Sequence, residues 1–191
     1  MKKYELTDET MNNGLVALHR IKALVAFADV AAGDLGGWIE SERNLAQSGD
    51  AWVYGNARVS GNAWVYGNAK VSGNARVCGF ALVRGNARVC GDARVYGNAW
   101  VCGDAWVGGN KHYMAIGPIG SRNDTITFTR DKQGRIYATV GCFHGPLLDF
   151  LTKVKKTHGN NIHAKTYQLA AQLAETRIDT TPIEDDKEDA E

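Results

Sequence analysis

Between Gly49 and Gly108 the polar and apolar positions repeat every six residues, in units such as "GNAWVYGNAKVSGNARVC". In all ten units the third letter is alanine and the fifth is valine, so a small and a branched apolar side chain recur two positions apart. A period of six fits neither an amphipathic helix nor a two-residue strand alternation over any length. It is the period of a β-helix, whose coils each carry three short strands and three corners. Alanine and valine are then the inward positions. Glycine and Asn or Asp stand just before them, where a corner needs positive φ or a side chain that bonds its own backbone. The letters flanking valine, such as Trp52 and Tyr54, are expected to point outward, because side chains alternate along a strand. Two degenerate units, GWIESE and RNLAQS, precede the ten from Gly37. Twelve units at three per coil predict four coils.

Stacking turns this repeat into surfaces, since residues eighteen apart lie above one another at the strand spacing of ~4.8 Å. One face is expected to stack Glu40, Arg58, Arg76 and Arg94. A second stacks Trp64, Leu82 and Trp100, flanked by Tyr66, Arg84 and Cys102. The third mixes Trp52, Lys70, Arg88 and Trp106. An exposed apolar face of this kind marks an interface, so Trp64, Tyr66, Leu82 and Trp100 are expected to join three copies into a homotrimer. Stacked arginines repel unless neutralised, which makes Arg58, Arg76 and Arg94 candidates for binding an anionic ligand or an acidic partner. Cys78, Cys90 and Cys102 recur every twelve residues, two-thirds of a coil, and fall on three different faces. They share no metal or disulfide within one chain; no metal and no cofactor are expected.

Valine at one position with alanine four residues on is the pattern of left-handed hexapeptide helices, which this segment resembles. The run from Arg20 through "GGWIESERNLAQSGDAWV" resembles the entry segment of YdcK-type left-handed β-helix proteins, a family described as transferases. The same cap, GNAxV repeats and short C-terminal domain resemble a group of phage and prophage proteins. The expected architecture is mainly β: a left-handed parallel β-helix of about four coils (37–108), a β-rich N-terminal cap (1–36) and a small C-terminal α/β module (109–178). In the cap, Leu15 to His19 and Ile21 to Phe27 read as β-rich, and they cover an end that would otherwise invite strand addition. In the module, strands are expected at Tyr113 to Gly117, Thr125 to Arg130 and Arg135 to Val140, followed by one helix after Pro146 and a second over 162–177.

Charge is unevenly spread although the net is +1: residues 109–178 hold ten basic and four acidic side chains, and the tail 179–191 holds one and seven. That tail is expected to be disordered. The first residues, "MKKYELTDETMNNGLV", have no apolar run behind their lysines, and no segment reaches the ~18 apolar residues of a membrane helix. A cytoplasmic protein without membrane contact is expected.

Hexapeptide-helix acyltransferases resemble this chain in fold, and their catalytic base is a histidine on an extruded loop. Here no histidine lies between His19 and His112 and no insertion breaks the coils, so no catalytic residue is assigned; an acyltransferase using His112 or His144 is the enzyme alternative. Cys142 and His144 form a candidate nucleophile pair lacking an orienting third group. "GPIGSRND", Gly117 to Asp124, is the better binding element, with free backbone N–H groups beside Ser121 and Arg122 for a phosphate or carboxylate. Lys153, Lys155, Lys156, Lys165 and Arg177 suggest nucleic acid, which the scarcity of free aromatics and the acidic tail disfavour. The function expected is that of a non-enzymatic trimeric phage accessory protein that binds and inhibits a host defence protein, or else sequesters a small anionic nucleotide between subunits.

Overall fold

The computed structural model describes residues 2–14 and 16–183. The chain enters through an antiparallel hairpin, β1 (Tyr4–Asn12) and β2 (Ala17–Ala23), and β2 pairs with β3 (Leu35–Ile39). β3 then changes partner type, running parallel to Arg58–Val59. Ten two-residue strands follow, from β4 (Trp52–Val53) to β13 (Trp106–Val107), one per hexad. They form three parallel ladders in eighteen-residue register, the walls of a left-handed β-helix of about four turns. One wall pairs Arg58, Arg76 and Arg94, the next Trp64, Leu82 and Trp100, and the third Trp52, Lys70, Arg88 and Trp106.

Alanine and valine fill the interior at every turn, each at most 3% exposed. The corners are equally regular. Gly79 has φ +75°, and a Cβ there would stand 2.9 Å from the Gly97 nitrogen one coil on, so only glycine lets successive corners stack this closely. Corner asparagines form their own ladder, with the Asn68 amide donating to Asn86 at 3.1 Å and Asn86 to Asp104 at 3.0 Å.

Two sequence expectations are corrected at the first coil. The register from Gly37 does not hold, because Ile39 pairs with Val59 and Leu45 bridges to Val65, each twenty residues on. The apolar side chains, not the letter positions, decide which residues turn inward, and Trp38 stacks on Arg58 in place of Glu40. Glu40 instead accepts the Gly61 N–H at 2.6 Å. Trp52 points out of its coil but is only 1% exposed, since Tyr4 and Phe27 pack edge-on against it at 6.0 and 5.4 Å between ring centroids.

The C-terminal module is a four-stranded antiparallel meander, β14 (Tyr113–Ile119), β15 (Asp124–Arg130), β16 (Ile136–Val140) and β17 (Phe143–Pro146), with α1 (Leu147–His158) and α2 (Ile162–Arg177) behind it. The strand β17 was not expected. β15 shows why the sheet sits where it does: Ile126 and Phe128 face the helices and join Phe150 and Tyr167 in a second core, whereas Thr127 and Thr129 turn to the β-helix and are fully buried. The last coil has no further strand to pair with, and side chains of the module take over. Thr127 Oγ1 accepts the Trp100 N–H at 2.9 Å, Asn110 Oδ1 accepts the Arg94 N–H at 3.0 Å, and the Tyr113 hydroxyl donates to the Arg94 carbonyl.

Residues 179–183 depart from the disorder expected of them. The Asp179 N–H donates to Lys111 O and the Ile183 N–H to Lys132 O, both at 2.9 Å, tying 179–183 against the sheet; the rest of the proposed tail, 184–191, lies outside the described residues. Among the described residues no helix is long and apolar enough to cross a membrane.

Candidate functional site

The expected anion-binding residues separate into two places. Ser121 and Arg122 sit on the turn between β14 and β15, and folding brings α1 across from them. Together they line a cavity of about 200 Å³ whose other walls include Asp124, Cys142, Phe143, Phe150, Lys153, His158 and Tyr167. The glycine-rich stretch contributes less than its sequence suggests. Gly117 to Ile119 belong to β14, so only the turn reaches the cavity and no open cradle of backbone N–H groups forms.

Three cationic or protonatable side chains converge here. Arg122 Nη1 and Asp124 Oδ2 both lie near one point beside Gly141, 3.6 and 3.8 Å from where a Cβ would stand. No ion pair joins them among the described residues. Lys153 hangs over the Phe143 ring, 5.3 Å from its centroid, and His158 lies 5.9 Å from Tyr167. Tyr167 is buried, and burial pushes its phenol above the usual value, with the Asp124 carboxylate adding to the effect. Its hydroxyl fills the space a Cβ on Gly120 would need, which fixes that turn against α2. Phe143, Phe150, Val140 and Val154 make the floor apolar. The arrangement suits a small anion with an apolar body, its charge held by Arg122 and Lys153 and a donor group meeting Asp124. Lys153 and His158 were not legible as site residues, since only the crossing of α1 over the sheet places them beside Arg122.

The arginines of the β-helix stand elsewhere. Arg58 Nη1 donates to Asn13 Oδ1 at 3.3 Å near the N-terminal hairpin. Arg76 is exposed midway, and among the described residues its guanidinium has no partner. Arg94 ends the stack in a second cavity, at the seam with the module.

The tryptophan face is open. Trp64 is 43% exposed and stacks on Tyr66 with centroids 4.1 Å apart, while Leu82 and Trp100 are half-buried. Phe80, 62% exposed, adds to this face from the corner position of the odd hexad GFALVR, a contribution the sequence reading missed.

The groups considered for catalysis are occupied structurally. His112 Nδ1 accepts the Gly108 N–H at 3.0 Å, and burial, then Arg130, lowers its pKa. His144 Nδ1 lies 2.9 Å from Thr139 Oγ1, with burial and then Arg84 lowering its pKa. Cys142 opens into the 200 Å³ cavity whereas His144 faces Thr139 and Gly103, so the two do not meet as a pair. Among the described residues no disulfide joins Cys78, Cys90, Cys102 and Cys142, and Cys102 is buried where burial raises its thiol pKa. No cluster of three metal-ligating side chains occurs among the described residues.

Comparison with known proteins supports the reading of the repeats. Residues 51–67 and 87–103 match the YdcK beta solenoid repeat family. Over 64 residues the chain is 42% identical to a protein of Escherichia coli (strain K12) named uncharacterized acetyltransferase YdcK, a match covering 28% of this chain and 19% of that protein. The chain thus spans about one-fifth of that relative's length. Its repeat region is a YdcK-like left-handed β-helix.

Proposed function

We propose that this chain is a non-enzymatic binding protein whose C-terminal cavity captures a small carboxylate or phosphate with an apolar body. The observation that carries this reading is the convergence of Arg122, Lys153 and His158 on an apolar-floored pocket. In this reading the β-helix is a rigid support, and the Trp64, Tyr66, Phe80, Leu82 and Trp100 face joins copies of the chain into a trimer. The name of the Escherichia coli relative raises acetyl transfer as an activity. His112 and His144 are poorly placed for it, each being held by a partner in the seam.

Native mass spectrometry of gently purified protein tests both halves. The expected result is three chains carrying one small mass per chain, with that mass lost in Arg122→Ala and Lys153→Ala while the assembly persists. Bare trimers that also fail to bind inorganic phosphate or acetate would overturn ligand capture.

A second reading rests on a different surface. Ile162, Leu169 and Leu173 are 69, 65 and 50% exposed and lie along one side of α2. This stripe supports a protein partner, such as a host defence component inhibited by a phage-encoded protein. Leu169→Glu would then abolish the biological effect and Arg122→Ala would spare it.

A further inference from the structure

The seam between the β-helix and the C-terminal module holds the larger of two cavities described here, about 380 Å³, lined by Arg94, Tyr96, Asn110, Tyr113, Met114, Ala115 and Arg177. Its two arginines come from different parts of the fold: Arg94 from the last coil of the arginine wall, Arg177 from the final turn of α2. Neither guanidinium has a hydrogen-bonding or ion-pair partner among the described residues, and no carboxylate lines the cavity. Arg76 stacks directly below Arg94, in register and at the strand spacing, so a third cation adds to the local potential. Such a cluster holds its shape at a cost that a bound anion would relieve.

The remaining lining narrows the ligand. Asn110, which lines the cavity, accepts the Arg94 N–H with its carbonyl oxygen, and its amide NH₂ has no acceptor among the described residues. Tyr96 is 63% exposed, presenting a ring to the cavity rather than packing it into a core. Met114 adds a half-buried apolar side chain. Two guanidiniums, one amide donor and an open aromatic face are what a phosphate attached to a flat ring requires.

We propose that this seam is a second binding site, distinct from the Arg122 cavity, that takes a phosphorylated ligand bearing a flat ring, its phosphate clamped between Arg94 and Arg177 and its ring against Tyr96. Because the clamp takes one arginine from the β-helix and one from the module, an occupied site also holds the two together. The ligand acts as a bolt across the seam.

Calorimetric titration of the full chain with adenosine monophosphate and with inorganic phosphate tests this, beside hydrogen exchange of the same samples. The monophosphate should bind more tightly than phosphate, and weaken at least tenfold in both Arg94→Gln and Arg177→Gln. Tyr96→Ala should lose the monophosphate's advantage and keep the phosphate affinity. Arg122→Gln should remove only the phosphate binding that belongs to the cavity of the proposed function and leave the adenosine monophosphate affinity unchanged, which separates the two sites. In the wild type, ligand should slow exchange in β14 and the last turn of α2. All four side chains are exposed, so the variants should fold, and their circular dichroism checks it. Equal affinities for the two probes, wild-type monophosphate binding by Arg177→Gln, or a loss of monophosphate binding in Arg122→Gln would overturn the proposal.

Discussion

The two ends of the β-helix face the same problem and solve it differently. Each exposes a coil whose backbone has no neighbour, a template for aggregation. At the N-terminal end the closure is dense. The Tyr4 hydroxyl donates to Leu45 O at 2.7 Å, Asn44 Nδ2 donates to Gly61 O and Ala63 O, and the buried Lys3 ammonium donates to Ala51 O at 2.7 Å while lying over Phe27. At the C-terminal end the closure is a sheet with one polar face of threonines on the coil and one apolar face under helices. Both cavities described above lie in this second end or at its seam. The difference lies in the means of closure: buried side chains seal the N-terminal coil directly, whereas a separate sheet covers the C-terminal coil and has both cavities in or beside it.

The comparison breaks most readily at Trp52. Trp52→Ala removes the ring on which Tyr4 and Phe27 converge and should cost about 3–5 kcal/mol. Thermal unfolding should show it as a large fall in Tm, with binding at Arg122 retained below that temperature. A fall no greater than that of Tyr96→Ala would mean that the hairpin does not close its end.

A smaller effect is expected at the other end. Thr127→Val removes the acceptor of the Trp100 N–H inside a buried seam and should cost about 1–3 kcal/mol. Hydrogen exchange should quicken at Trp100 while the amide of Trp52 stays protected. Equal exchange at both would merge the two ends into one cooperative unit.

The two ends should also answer to different pH ranges, which sharpens the comparison at the smallest cost in stability. Burial holds the Lys3 ammonium at about 8, against an ordinary 10.5, with Asp50 opposing. The folded state therefore binds fewer protons than the unfolded one between those values, and stability rises with pH across that window. His112 and His144 are also lowered, from 6.5, so the C-terminal end loses stability as pH falls below about 6.5. Exchange at the seam should quicken on acidification, and His112→Gln with His144→Gln should flatten that response. Lys3→Met should flatten only the alkaline one.

What the sequence made legible follows the strength of its periodicity. Ten hexads with alanine and valine in fixed places disclose walls, register and interior, because every coil repeats the same burial. The first coil broke this reading. In "GWIESE" and "RNLAQS" Ile39 and Leu45 stand where the later units have alanine but pair with valines, and two additional residues before Trp52 absorb the offset. β1, "YELTDETMN", went unseen because a mostly exposed polar strand leaves no alternation. β17, "FHGP", is a four-residue edge strand containing glycine and proline. Ser121 and Arg122 stood out in the sequence as a candidate element, whereas their nearness to Lys153 and His158, and that of Arg94 to Arg177, depend on contacts between distant segments that no local pattern encodes.

The eighteen-residue register makes the β-helix a ruler. Inserting one whole coil would separate the two ends by a further ~4.8 Å and leave the orientation of each wall unchanged. Inserting a single hexad between Arg76 and Arg94 would instead turn the last coil and the C-terminal module together onto a neighbouring wall, taking Arg94 off the stack it forms with Arg76. The span between the ends is therefore adjustable only in whole coils if the walls are to stay in line from one end to the other.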